Sequence, residues 1–187
     1  NTLFLDLPSG WTSVRLKINS FEPTQDMQLA GMLAYQDDDN FVQIVKRRNY
    51  NSHLVLLHEE DEVGEVLQVI PSLPDGSLWL RMDYNAAMGT FFGYYSFDGV
   101  AWRYAGSVEQ TLASPRLAIF TGSSSGGFPN ADIEWAEISL EPLAPPAESL
   151  SIQPGALVFN AIEGQPISDS RSLFISSTLD RQVSWSR

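Results

Sequence analysis

Hydrophobic and polar residues alternate along most of this chain in short runs, and turn residues separate the runs. Successive side chains on a β-strand point to opposite faces, so a two-residue period marks a strand with one buried face. In Ser77-Leu-Trp-Leu-Arg-Met-Asp-Tyr84, Leu78, Leu80 and Met82 share one face, and Trp79, Arg81 and Asp83 share the other. In the run from Phe41 to Lys46, Val42 and Ile44 face in, leaving Phe41 and Gln43 out. The same reading predicts strands over residues 3–7, 13–20, 29–36, 41–47, 53–59, 63–70, 78–84, 90–96, 101–105, 116–121 and 133–140. No segment sustains a long helical period.

Two connections are specific. The polar cluster from Gln36 to Asn40 lies between apolar runs. Asp and Asn side chains bond nearby backbone and tolerate left-handed angles, so this cluster predicts a hairpin. Asp98-Gly99, between aromatic-rich runs, predicts another. Many short strands punctuated by turns give an all-β fold, an antiparallel β-sandwich of the jelly-roll kind, over residues 1–141. Residues 142–148, Pro-Leu-Ala-Pro-Pro-Ala-Glu, read as a stiff linker, since proline donates no sheet hydrogen bond. Residues 149–187 read as a partial Ig-like β-sandwich, with strands at 149–152, 156–161, 172–176 and 182–186.

Composition narrows the function. Apolar residues make up 43% of the 187, and charged residues 18%, enough for a packed core and against global disorder. The net charge of −12 opposes a phosphate backbone, so no nucleic-acid partner is expected. The apolar runs are too short to insert in a membrane. The absence of cysteine excludes disulfides, thiolate metal sites and cysteine nucleophiles. The start at Asn1, without Met or a signal-like segment, reads as a mature or excised fragment.

Several of these pieces together carry a family resemblance. Gln28-Leu-Ala-Gly-Met-Leu-Ala-Tyr35, Asp38-Asp-Asn-Phe-Val42, Leu78-Trp-Leu-Arg81, Tyr95-Ser-Phe-Asp-Gly-Val-Ala-Trp102 and Ala118-Ile-Phe-Thr-Gly122 occur in this order. The chain up to Leu140 thereby resembles the concanavalin A-like lectin/glucanase domain at the C-terminus of family 43 β-xylosidases, with that family's opening strands missing before Asn1. The resemblance implies a domain that packs beside a catalytic domain in an extracellular, bacterial, polysaccharide-acting protein. Ser96-Phe-Asp-Gly-Val-Ala-Trp102 is also similar to a sialidase Asp-box, one residue short, and reads as a turn-locking motif. Leu150-Ser-Ile-Gln-Pro154 and Leu157-Val-Phe159 resemble the start of a BACON-type Ig-like domain.

Candidate chemistry is sparse. Sugar rings stack on aromatic faces while polar groups fix their hydroxyls. Phe41, Gln43, Trp79, Arg81 and Asp83 are the candidate carbohydrate-binding set, with plain cross-strand packing as the competing explanation. Glycosidases need two carboxylates across a sugar bond. Glu60-Asp-Glu-Val-Gly-Glu65 and Asp132-Ile-Glu-Trp-Ala-Glu137 are near-misses to the laminarinase-like Glu-x-Asp-x-x-Glu pattern, and Glu134 with Glu137 is the candidate pair. Asp37, Asp38 and Asp39 offer hard oxygens suited to Ca²⁺, or simply build the turn. His53 and His58 are an odd number of positions apart and face opposite sides. Three functions follow: a non-catalytic carbohydrate-binding or accessory module whose partners are a polysaccharide and neighbouring domains, a structural spacer of a surface protein, or a glycoside hydrolase using Glu134 and Glu137.

Overall fold

The structure is a computed structural model, and it describes residues 1–74, 76–123, 129–142, 150–153 and 174–177. The chain divides into two compact units, Asn1–Pro145 and Pro146–Arg187. In the first, the strands are β1 (Thr2–Asp6), β2 (Ser13–Phe21), β3 (Gln28–Asp37), β4 (Asn40–Asn49), β5 (Asn51–Glu60), β6 (Val63–Ile70), β7 (Leu78–Asn85), β8 (Thr90–Ser96), β9 (Arg103–Glu109), β10 (Arg116–Ser123) and β11 (Ala131–Ser139). No described residue is helical. In the second, β12 (Leu150–Gln153) pairs antiparallel with β13 (Phe174–Ser177). The strands expected at 156–161 and 182–186 lie outside the described residues.

The first unit is a sandwich of two antiparallel sheets. One has six strands in the order β1-β10-β3-β4-β5-β6, and the other has five in the order β11-β2-β7-β8-β9. Their inner faces supply the core. Val14, Leu16 and Ile18 of β2 and Leu78, Leu80 and Met82 of β7 meet Met32 and Ala34 of β3, Val42 and Ile44 of β4, and Leu54 and Leu56 of β5. These are the inward positions of the two-residue alternation, so each strand's pattern dictates which face it buries.

Both predicted hairpins form, β3–β4 across Asp37↔Asn40 and β8–β9 after Ser96. The β4 strand lies against β3 because position 31 is glycine. A Cβ there would stand 2.4 Å from the Ile44 carbonyl oxygen and 2.8 Å from the Val45 Cα. The expected strand over 101–105 begins later, at Arg103. Asp98 accepts hydrogen bonds from the Val100 and Ala101 amides at 2.8 and 2.7 Å, which holds those residues in the turn.

Candidate functional site

The outer face of the five-stranded sheet carries a ladder of cations and aromatic rings. Arg15 and Lys17 of β2 point outward between β11 and β7. The Arg15 guanidinium lies 5.9 Å from the Trp135 ring, and the Lys17 ammonium lies 5.1 Å from the Trp79 ring. Each cation is also paired: Arg15 with Glu137 at 2.5 Å, and Lys17 with Glu134. On β7, Arg81 sits 5.0 Å from the Tyr94 ring and 6.0 Å from the Trp102 ring.

Arg81 is only 3% exposed, and a buried guanidinium requires a partner. Asp83, two residues along the same face, supplies it. Its Oδ1 accepts from Arg81 Nε at 2.7 Å and from Ser13 Oγ at 2.6 Å, and its Oδ2 accepts from Arg81 Nη2 at 2.5 Å. The carboxylate is thereby fixed in place. Burial, and then the negative charge of Asp83, push the Tyr94 phenol up to about 12. It stays protonated, and a hydrogen-bond donor, throughout the neutral range.

The β8–β9 turn folds onto the same face. Gly99, at φ +74°, brings its backbone so close to Trp79 that a Cβ would stand 2.9 Å from the indole Nε1. Trp79 is therefore held between Lys17 and the turn, and Trp102 lies over Arg81.

Beyond Arg81 the face opens into a cleft of about 370 Å³, lined by Thr12, Asp83, Tyr84, Asn85, Phe92 and Tyr94 among others. Asn85 Oδ1 accepts from the Ala87 and Met88 amides at 3.1 and 3.3 Å. That locks the side chain and leaves its NH₂ group as a donor. The cleft thus combines an aromatic ring (Phe92), a fixed acceptor (Asp83) and two donors (Tyr94 and Asn85).

The structure does not bring the five predicted carbohydrate residues together. Trp79, Arg81 and Asp83 share the outer face of the five-stranded sheet, but β4 belongs to the other sheet. Phe41 and Gln43 lie on that sheet's outer face, beside Tyr35 and Glu59, and Leu33 and Leu57, respectively. Two outer faces of a sandwich point in opposite directions, so no single platform forms. Alternation assigns a residue to a face of its strand, but not a strand to a sheet. The cleft residues that escaped the sequence reading are Tyr84, Asn85, Phe92 and Tyr94. The alternation of Phe92, Tyr94 and Ser96 beside β7 was the available signal.

The acidic turn is a self-contained lock. Asp37 accepts from Asn40 Nδ2 at 2.8 Å, Gln36 Nε2 at 2.9 Å and the Asp39 amide at 3.1 Å. The first two bonds chiefly hold its carboxyl below the usual range. Asp38 accepts from the Tyr35 hydroxyl at 2.7 Å, which raises that phenol. Among the described residues, no three His, Asp or Glu side chains are grouped so as to hold a metal ion, and Asp37, Asp38 and Asp39 form no such group. His53 Nδ1 lies 2.7 Å from the Asn51 carbonyl, and His58 Nε2 lies 3.7 Å from Glu65.

Glu134 lies within a register shift of β11, between Ile133 and Trp135, and Glu137 lies beyond it; they are held by Lys17 and Arg15. The Lys17 hydrogen bond keeps the Glu134 carboxyl below its usual range. A glycosidic general acid needs the reverse, a carboxyl raised towards neutrality. The run Glu60 to Glu65 spans the end of β5, the turn at Asp61 and Glu62 (φ 50° and 68°) and the start of β6.

Residues 11–131 match the family described as the β-xylosidase C-terminal concanavalin A-like domain. No curated protein sequence matches the chain. Among solved structures, the GH43 protein BlXynB from Bacillus licheniformis is similar, with a TM-score of 0.69 and 19% identity over 75% of this chain and 30% of that one. A xylan β-1,4-xylosidase from Bacillus halodurans matches with a TM-score of 0.64 and 16% identity, over 73% of this chain and 29% of that one. A protein of unknown function from Saccharomyces cerevisiae matches with a TM-score of 0.60 and 10% identity, over 74% and 72%. The matched part covers less than a third of the two Bacillus chains.

Proposed function

This chain belongs to the family of β-xylosidase C-terminal concanavalin A-like domains, and from that premise we propose that it is a non-catalytic accessory module of an extracellular polysaccharide-acting protein, binding carbohydrate on the outer face of its five-stranded sheet. The observation that carries this reading is the cleft beside β7 and β8. It puts the Phe92 ring, the Asp83 carboxylate, the Tyr94 hydroxyl and the Asn85 amide around one space of about 370 Å³. An apolar surface with a few fixed polar groups is what a sugar ring needs.

In this reading Asp83 contacts sugar hydroxyls, and Arg81 positions Asp83 from behind. Trp79 braces the turn above them. The module lacks its own hydrolytic pair, because Glu134 and Glu137 are spent on cations of β2. The xylan β-1,4-xylosidase among its structural relatives makes xylan fragments the first ligands to try. Neighbouring domains of a longer chain would supply the chemistry.

Affinity electrophoresis and calorimetry against xylan and β-glucan test the proposal. Phe92→Ala is expected to weaken binding about tenfold, equivalent to ~1.4 kcal/mol. Binding by none of the polysaccharides, or unaltered binding by both Phe92→Ala and Asp83→Asn, sinks it. Hydrolysis of either polysaccharide, abolished by Glu134→Gln, would replace it with an enzyme.

A further inference from the structure

The same end of the sandwich carries a second cleft. It lies where the β1–β2 loop, the β7–β8 turn and the segment before β10 meet, and it measures about 560 Å³. Its walls include Ser9, Trp11, Tyr84, Ala86 and Arg116. Tyr84 and Ala86 also line the first cleft, so the two spaces are neighbours across a ridge that belongs to both.

The ridge is rigid. Tyr84 stacks on Trp11 at 5.5 Å with 19° between the planes, and it packs on the Phe91 ring at 4.6 Å. Trp11 and Phe91 are 7% and 2% exposed, so the Tyr84 ring rests on the core. Polar groups stand on both sides of it. Among the described residues, no protein group engages the Ser9 or Ser114 hydroxyl. The Asn85 amide and Tyr94 hydroxyl stand on the other side.

The charges here are already matched. Arg116 pairs with Asp6 at 3.1 Å and covers the Phe4 ring at 4.7 Å. Arg81 pairs with Asp83 at 2.5 Å. The first cleft therefore offers the Asp83 carboxylate and the second the Asp6–Arg116 pair, and neither offers a cation in excess. The protein as a whole carries −12, which adds repulsion for an anionic chain.

We propose that the two clefts are successive subsites for one linear, uncharged oligosaccharide running across the Tyr84–Ala86 ridge. This rests on the carbohydrate reading above and adds two things to it. The ligand spans more than one cleft, and it lacks carboxylates.

Calorimetry with a β-1,4-xylo-oligosaccharide series and a cello-oligosaccharide series, from disaccharide to hexasaccharide, provides the test. Oligogalacturonate of matched length is the anionic comparison. Affinity for at least one neutral series is expected to rise about tenfold from disaccharide to hexasaccharide, and oligogalacturonate to bind at least about tenfold more weakly. Ser9→Trp fills only the second cleft. It should abolish the gain with length. Ala86→Trp, at the shared ridge, should weaken both. Circular dichroism and an unchanged melting midpoint confirm that each variant is folded. Disaccharide binding with no gain for longer chains, or a gain that survives Ser9→Trp, overturns the two-subsite proposal and leaves the carbohydrate reading standing. Tighter binding of oligogalacturonate than of either neutral series overturns the uncharged-ligand part. No binding of any sugar by the unaltered protein overturns both readings.

Discussion

Asp98 is the residue on which the β8–β9 connection turns. One of its oxygens, Oδ1, accepts from the Ser96 hydroxyl and from the Val100 and Ala101 amides. The two amides and then the hydroxyl hold its carboxyl below the ordinary aspartate range. A depressed folded-state pKa means that the native state binds the proton less readily than the unfolded chain. The stability it contributes is therefore present above the unfolded value, about 3.9, and is lost as pH falls through the folded value. Asp98→Ala should lower the melting midpoint at pH 7 and flatten its decline through the acid range. An acid limb as steep as that of the unaltered protein would show that the charge has no part in the turn. Gly99, next along, faces two penalties on substitution: positive φ and contact with Trp79. Gly99→Ala should cost about 1–2 kcal/mol from the left-handed backbone alone, measured by urea unfolding, and Trp79 fluorescence should shift as the ring is displaced. The Asp-Gly pair was legible as a turn because its chemistry is local. The covering of Trp79 was not, since it depends on where a loop lands after the sheet has assembled. Asp83 was legible as an outward residue for the same local reason, whereas its bond to Ser13 spans 70 positions.

At the scale of elements, the two-residue period located the strands well, because it is dictated by burial on one side of each. The order of the strands was beyond it. β1 reaches β10 and β11 reaches β2, and such pairings depend on which edges remain free once the local hairpins have formed. β11 shows what pins such a distant pairing. Its outward carboxylates meet the outward cations of β2, Arg15 opposite Glu137 and Lys17 next to Trp135. A slip by one residue would turn every one of these side chains to the other face. A double-mutant cycle on Arg15 and Glu137 should give a coupling of about 0.2–1 kcal/mol, since their side chains are 29% and 50% exposed and water screens the pair. That coupling should shrink in high salt. A coupling that high salt leaves unchanged would mean that the pair is held by packing, not by charge.

At the scale of the whole molecule, the buried core cluster is drawn from residues between Trp11 and Ile119, and the strands that enclose it end at Ser139. Each sheet of the first unit is completed by strands of that unit. The second unit is Pro146–Arg187. The first unit buries enough apolar surface to unfold as one cooperative transition. We therefore expect a chain truncated after Glu141 to keep the sandwich. Its thermal unfolding, followed by tryptophan fluorescence, should be cooperative with a midpoint within about 4 °C of the full chain, the shift that ~1 kcal/mol produces in a domain of this size. Its affinity for oligosaccharides should also be retained, because the residues of both clefts, from Asp6 to Pro142, lie at or before the cut except Pro142 itself. A broad, non-cooperative melt would show that the sandwich depends on the second unit. A cooperative melt with lost sugar binding would instead show that Pro142, which lines the first cleft, is needed for binding.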